Sequence, residues 1–90
     1  MKIIARAVLS ERDDVPMWLD WTPDTGYAVT TVTATATGAT LGTGAHAIVT
    51  VGSRTTFYIT SAAIGVAHVQ FEITLTPYAK LHREVQLNFV

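Results

Sequence analysis

Val66-Ala-His-Val-Gln-Phe-Glu-Ile-Thr-Leu-Thr76 alternates apolar and polar residues almost without error, and after Pro77-Tyr78-Ala79-Lys80 the alternation resumes to Phe89. Val69, Phe71, Ile73 and Leu75 share one face of the first run; Leu81, Val85, Leu87 and Phe89 share one face of the second. A period of two marks a strand with one buried and one wet face. Two such runs across a short link form an antiparallel hairpin. Both apolar sets must lie on the same side, which restricts the register to even offsets. One such register sets Glu72 across from Glu84, a like-charge pair that destabilises the sheet. The register that avoids it places Ile73 opposite Val85, Phe71 opposite Leu87, Val69 opposite Phe89 and His82 opposite Thr76. It leaves Leu75 beside Arg83, whose stem must lie over the sheet end and reach for water.

Outward from this hairpin, the rest of the chain also reads as strands. Lys2 to Leu9 makes a first strand, with Ile3, Ala5, Ala7 and Leu9 on one side. Ser10 to Asp14 is a charged loop, too short to propagate a helix. Val15, Met17, Leu19 and Trp21 then share a face, which makes Trp21 a core tryptophan and leaves Trp18 on the opposite side. Pro16 confines this strand to an edge or to its own first residues. Thr22 to Gly26 is a turn. In the Thr/Val/Ala run that follows, Val29 is out of phase with Val32, Ala34 and Ala36, and a bulge near Thr30-Thr31 would bring both sets inward. Gly38 to Gly44 is a glycine-rich loop without the lysine and following helix of a phosphate cradle. Ala45 to Val51 sets Ala47, Val49 and Val51 against His46, Ile48 and Thr50. A turn at Gly52-Ser53-Arg54, a strand to Thr60 and a link from Ser61 to Gly65 complete the chain. The expected fold is all-β: an antiparallel immunoglobulin-like sandwich of six to eight short strands. It forms one domain over 1–90, with an arm and loop at 1–14 and the sandwich body at 15–90.

Ninety residues without cysteine form a small domain that no disulfide supports. With a net charge of −1 and 14% charged residues, the chain lacks the basic patch of a nucleic-acid binder. It also has no continuous apolar run long enough for a membrane helix, and its basic start is broken by Arg6 before any secretory segment can form. Synthesis in the cytoplasm is the expectation. Between Asp24 and Glu72 the only charge is Arg54. A surface so poor in charge suits a subunit covered by neighbours better than a free monomer.

Catalytic chemistry is not expected. His46, His68 and His82 fall in or near strands, and no three ligands converge as a metal requires. Ser10, Ser53 and Ser61 lie in predicted loops, away from any histidine base. Asp13-Asp14 and Asp20/Asp24 offer carboxylate pairs, but so small a sandwich has little room for an enclosed pocket to perturb them. No cofactor or metal site is expected. The side chains that suggest contact with a partner are Trp18, exposed on a one-faced strand, and Tyr78, at the hairpin tip.

Leu19-Asp20-Trp21, Gly26-Tyr27-Ala28-Val29, Tyr58-Ile59, Gly65, His68-Val69 and the closing Leu87-Asn88-Phe89-Val90 occur in an order that resembles the phage fibre-to-tail adaptor proteins. These are small immunoglobulin-like virion proteins of tailed bacteriophages. The likeness covers most of 13–90. It departs at Ala62-Ala63, where the family has a glycine pair, and at Pro77-Tyr78-Ala79-Lys80, where it has a hairpin glycine; Met1 to Leu9 has no counterpart. The resemblance implies a structural, non-enzymatic protein of the tail or neck. Its copies would form a homo-oligomeric ring that touches tube, connector or fibre proteins, with no nucleic-acid or membrane partner. A capsid decoration protein and a carbohydrate-binding module, the latter stacking sugars on Trp18 and Tyr78, are the alternatives.

Overall fold

In a computed structural model, which describes residues 1–21, 29–75 and 79–90, the chain is built from strands: β1 (Lys2–Leu9), β2 (Val15–Asp20), β3 (Val29–Thr37), β4 (Ala39–Leu41), β5 (Val49–Val51), β6 (Arg54–Ala62), β7 (Gly65–Leu75) and β8 (Lys80–Phe89). The only helical element among the described residues is a 3-10 turn at Gly44–His46, so none of their helices could cross a membrane. One four-stranded sheet has the order β1-β8-β7-β3; the other has the order β2-β6-β4, with β5 also pairing on β6. The chain passes from the first sheet to the second at Gly38, whose φ of +83° lies in the left-handed region that glycine adopts freely. A side chain at Gly38 would also press on the Val66 carbonyl, 3.2 Å from an added Cβ.

The all-β expectation holds; uniform antiparallel pairing does not. β1 runs parallel to β8, from Lys2 opposite Arg83 to Leu9 opposite Phe89, so the first residues belong to the sheet. A register shift between Ile3 and Ala5 turns Ile4, rather than Ile3, toward the core with Ala5, Ala7 and Leu9. The bulge expected near Thr30-Thr31 is present as a register shift between Val29 and Thr31, and it brings both Val29 and Val32 onto the core.

The hairpin of β7 and β8 forms with its apolar faces together but four residues out of the expected register: Ile73 pairs with Leu81, Phe71 with Arg83 and Val69 with Val85. His82 therefore faces Glu72, not Thr76, and Glu84 faces Gln70. An even shift leaves every apolar side chain on its own face, so the choice falls to the polar face. There the observed register surrounds Glu84 with donors and sets Lys80 3.2 Å from Glu72. Three further expectations are corrected. Ala39–Leu41 forms strand β4 within the stretch expected to be a glycine-rich loop. Ala45 to His46 lies in the 3-10 turn rather than a strand, while Ser61 lies within β6 rather than in a loop.

Trp21, Phe57, Ile59, Val69, Phe71, Ile73, Leu87 and Phe89 are almost fully buried. Phe71, from the first sheet, meets Trp21 edge-on at 5.4 Å and Phe57 of the second sheet at 5.3 Å. Aromatic pairs in this geometry contribute about 0.5–1.5 kcal/mol each beyond the area they bury. They hold the two layers face to face. The indole N–H must find an acceptor inside the protein, and Trp21 Nε1 donates to Thr55 Oγ1 at 2.8 Å. Thr55, itself fully buried, shares a second hydrogen bond of 2.8 Å with Thr50 Oγ1. Thr55→Val keeps the shape and removes this acceptor. It is expected to lower unfolding free energy by about 1–3 kcal/mol in urea titration, and Trp21→Phe should remove most of that difference. A Thr55→Val variant as stable as the parent would show that the bond contributes nothing.

Candidate interaction face

The outward sides of the two sheets differ in chemistry. On the first sheet, β8 places Glu84 between side chains that all donate to it. Gln86 Nε2 lies 2.9 Å and His68 Nδ1 3.1 Å from Oε2, and Gln70 Nε2 lies 3.2 Å from Oε1. Arg6 Nε in turn donates to Gln86 Oε1 at 3.3 Å. Glu84 is buried beneath these groups. The hydrogen bonds, from Gln86 first and then His68 and Gln70, hold its carboxyl down at a pKa of about 2. A carboxylate whose oxygens are so occupied has little capacity left for a ligand. Around Glu84 this face is satisfied by its own residues; farther along it Val8 and Val66 stand exposed on either side of Asn88.

The outward side of the second sheet is different. Pairing on β6 sets Pro16 beside Tyr58, Trp18 beside Thr56 and Asp20 beside Arg54 on the β2 side, with Val49 beside Thr56 and Val51 beside Arg54 on the β5 side. Trp18, Val49 and Val51 are 60%, 53% and 74% exposed. Arg54 lays its guanidinium 4.3 Å from the centre of the Trp18 ring, a cation–π contact. At one end Ser53 Oγ donates to Asp20 Oδ1 at 3.2 Å. At the other, His46 stacks on Tyr58 at 4.2 Å and 11°, with Asp14 Oδ1 3.8 Å from its Nδ1. The close return of the loop onto His46 requires Gly42, since an added Cβ would run into the His46 carbonyl oxygen. The result is an apolar and aromatic strip with Arg54, Asp20 and Ser53 at one end and the stacked His46–Tyr58 pair at the other.

Of the two side chains singled out in the sequence, Trp18 stands on this strip and Tyr78 lies outside the described residues. That Val49, Val51 and Arg54 share the outward face with Trp18 was not foreseen, although the signal for it was present. A two-residue Gly52-Ser53 turn, with φ +62° at Gly52, fixes Val51 opposite Arg54 and Thr50 opposite Thr55. Thr55 points inward with Phe57 and Ile59, so Thr50 points inward and both valines point out. His46 is separated from His68 and His82, which lie on the other sheet, and no three His, Asp or Glu side chains among the described residues gather as a metal site. Comparison with protein-family models, curated proteins and solved structures finds no match.

The Glu84 cluster has a pH signature. Its folded pKa of about 2 lies below the ordinary value of 4.5. The stabilisation it gives is therefore complete above about pH 4.5 and is lost as pH falls toward 2. Denaturant titrations across this window should show stability declining with acidification, and Glu84→Gln should flatten that dependence. An unchanged acid profile in the variant would contradict the assignment.

Proposed function

We propose that this chain is a non-enzymatic structural subunit of a tailed-bacteriophage virion, an adaptor in the tail or neck that receives a fibre or another tail protein. The fold reading that goes with it is an immunoglobulin-like sandwich. The observation that carries the proposal is the outer face of the second sheet. Trp18, Val49 and Val51 stand exposed there around Arg54, in a chain with no other charge between Asp24 and Glu72. Exposed tryptophan and arginine side chains, ringed by near-neutral contacts, are the side chains on which binding energy concentrates in protein interfaces. The sequence resemblance, with Asp20-Trp21 at the end of an early strand and an apolar closing strand, supports the choice of class.

Two features favour a protein partner over a sugar. Arg54 already occupies part of the Trp18 ring, and the exposed aliphatic part of the face, Val49 and Val51, offers a sugar hydroxyl nothing to bond. Copies arranged in a ring, rather than spread over a capsid shell, distinguish the adaptor from a decoration protein.

Trp18→Ala is expected to leave the melting temperature of the isolated chain nearly unchanged, because the ring is exposed. In particles assembled with the variant, binding to the partner should weaken by at least about 2 kcal/mol, or about thirtyfold. Quantitative mass spectrometry of purified particles reads the loss. Full incorporation of the variant, or glycan binding that disappears with Trp18, would refute the adaptor role.

A further inference from the structure

We infer that two copies of this chain pair along the free edge of β3, antiparallel and about a twofold axis, to join their four-stranded sheets into one continuous sheet. The inference does not depend on the virion role.

An exposed strand edge is a template for further pairing unless charge, proline, a bulge or short length blocks it. Three of the four sheet edges here carry such a block. β1 has Lys2, Arg6 and the bulge at Ile3/Ala5. β2 has Pro16 and Asp20. β4 and β5 are three residues each. β3 differs: from Thr31 to Thr37 it has no charge, proline, glycine or bulge, and among the described residues no strand pairs along its outer edge.

The side chains suit a second copy of the same strand. Thr31, Thr33, Thr35 and Thr37 face outward and are exposed; Val32, Ala34 and Ala36 face the core. In an antiparallel twofold pairing with an even offset, threonine meets threonine on one face and Val/Ala meets Ala on the other. Cross-strand threonine pairs are favourable, and no like charges oppose one another. Beside this edge runs a groove between the layers, lined by Ala34, Leu41, Ala47, Ile48 and Phe57, whose apolar mouth a neighbouring copy would cover. The contact is isologous, so it closes at two copies. A ring would need a second, different contact between such pairs.

Thr31 and Thr35 face the uncharged Thr74 and Gln70 across β7, so charges introduced there strain no existing pair. Sedimentation velocity on the 90-residue chain should show a monomer–dimer equilibrium. The T31K/T35K variant should be monomeric with an unchanged circular dichroism spectrum, and so should T31E/T35E. Mixed together, the two variants should form a one-to-one heterodimer, identified by its mass. A parent chain that remains monomeric up to millimolar concentration overturns the inference. So do dimers that persist in T31K/T35K, and oppositely charged variants that fail to pair when mixed.

Discussion

The structure turns on one indole. Trp21 sits just past the end of β2 with no exposed surface, and its N–H cannot reach water. A buried donor without a partner would forfeit much of what its ring gains. Thr55 supplies the acceptor, and the Trp21 backbone N–H donates to the Ser53 carbonyl at 2.8 Å, which fixes the strand end over β6. Phe71 closes on the same ring from the opposite sheet. One residue thus sets the alignment of β2 on β6 and the contact between the layers. Thr50, held to Thr55, adds the inward side of β5 and so turns Val49 and Val51 outward. The outer strip follows from the inner bond.

What a sequence reading can recover here depends on whether each feature is local. Alternation identified the inward faces of β2, β7 and β8, and it assigned Trp21 to the core and Trp18 to the surface, because side-chain period is a property of a single strand. The phase slip at Val29 revealed a bulge for the same reason. Register is a property of two strands. Moving β8 by four residues against β7 leaves its apolar pattern intact, and the outcomes are distinguished by cross-strand polar contacts, His68 and Gln70 on Glu84 and Lys80 on Glu72. The parallel pairing of β1 with β8 joins the two ends of the chain, and nothing within Lys2–Leu9 specifies its direction. The outward valines of β5 lay between these extremes. They could be deduced, but only by carrying the Gly52-Ser53 turn through to Thr55.

The molecule divides its surface. The middle of the first sheet's outer face is internally satisfied, with Glu84 enclosed by Gln86, His68 and Gln70 and with Glu72 paired to Lys80. The outer face of the second sheet presents an indole and two valines, which gain more from a protein surface than from water, and the β3 edge adds a row of exposed, uncharged threonines. A small domain with few charges gives up solubility for such surfaces, and that exchange suits a component of an assembly. The two regions are chemically distinct. The strip carries aromatic and cationic side chains, while the edge is an uncharged run of threonine, valine and alanine.

The central claim, a rigid two-layer body with one tryptophan sealed inside and one held out for contact, can be read from the two indole N–H signals of the isolated chain. In hydrogen exchange followed by NMR, the Trp18 signal should exchange within the dead time. The Trp21 signal should exchange only as fast as global unfolding permits, matching the slowest amides of β6 and β7. Rapid exchange at Trp21 would mean that the layers part locally, and strong protection at Trp18 in the isolated chain would mean that its ring is covered by the protein itself. Either result would contradict the account.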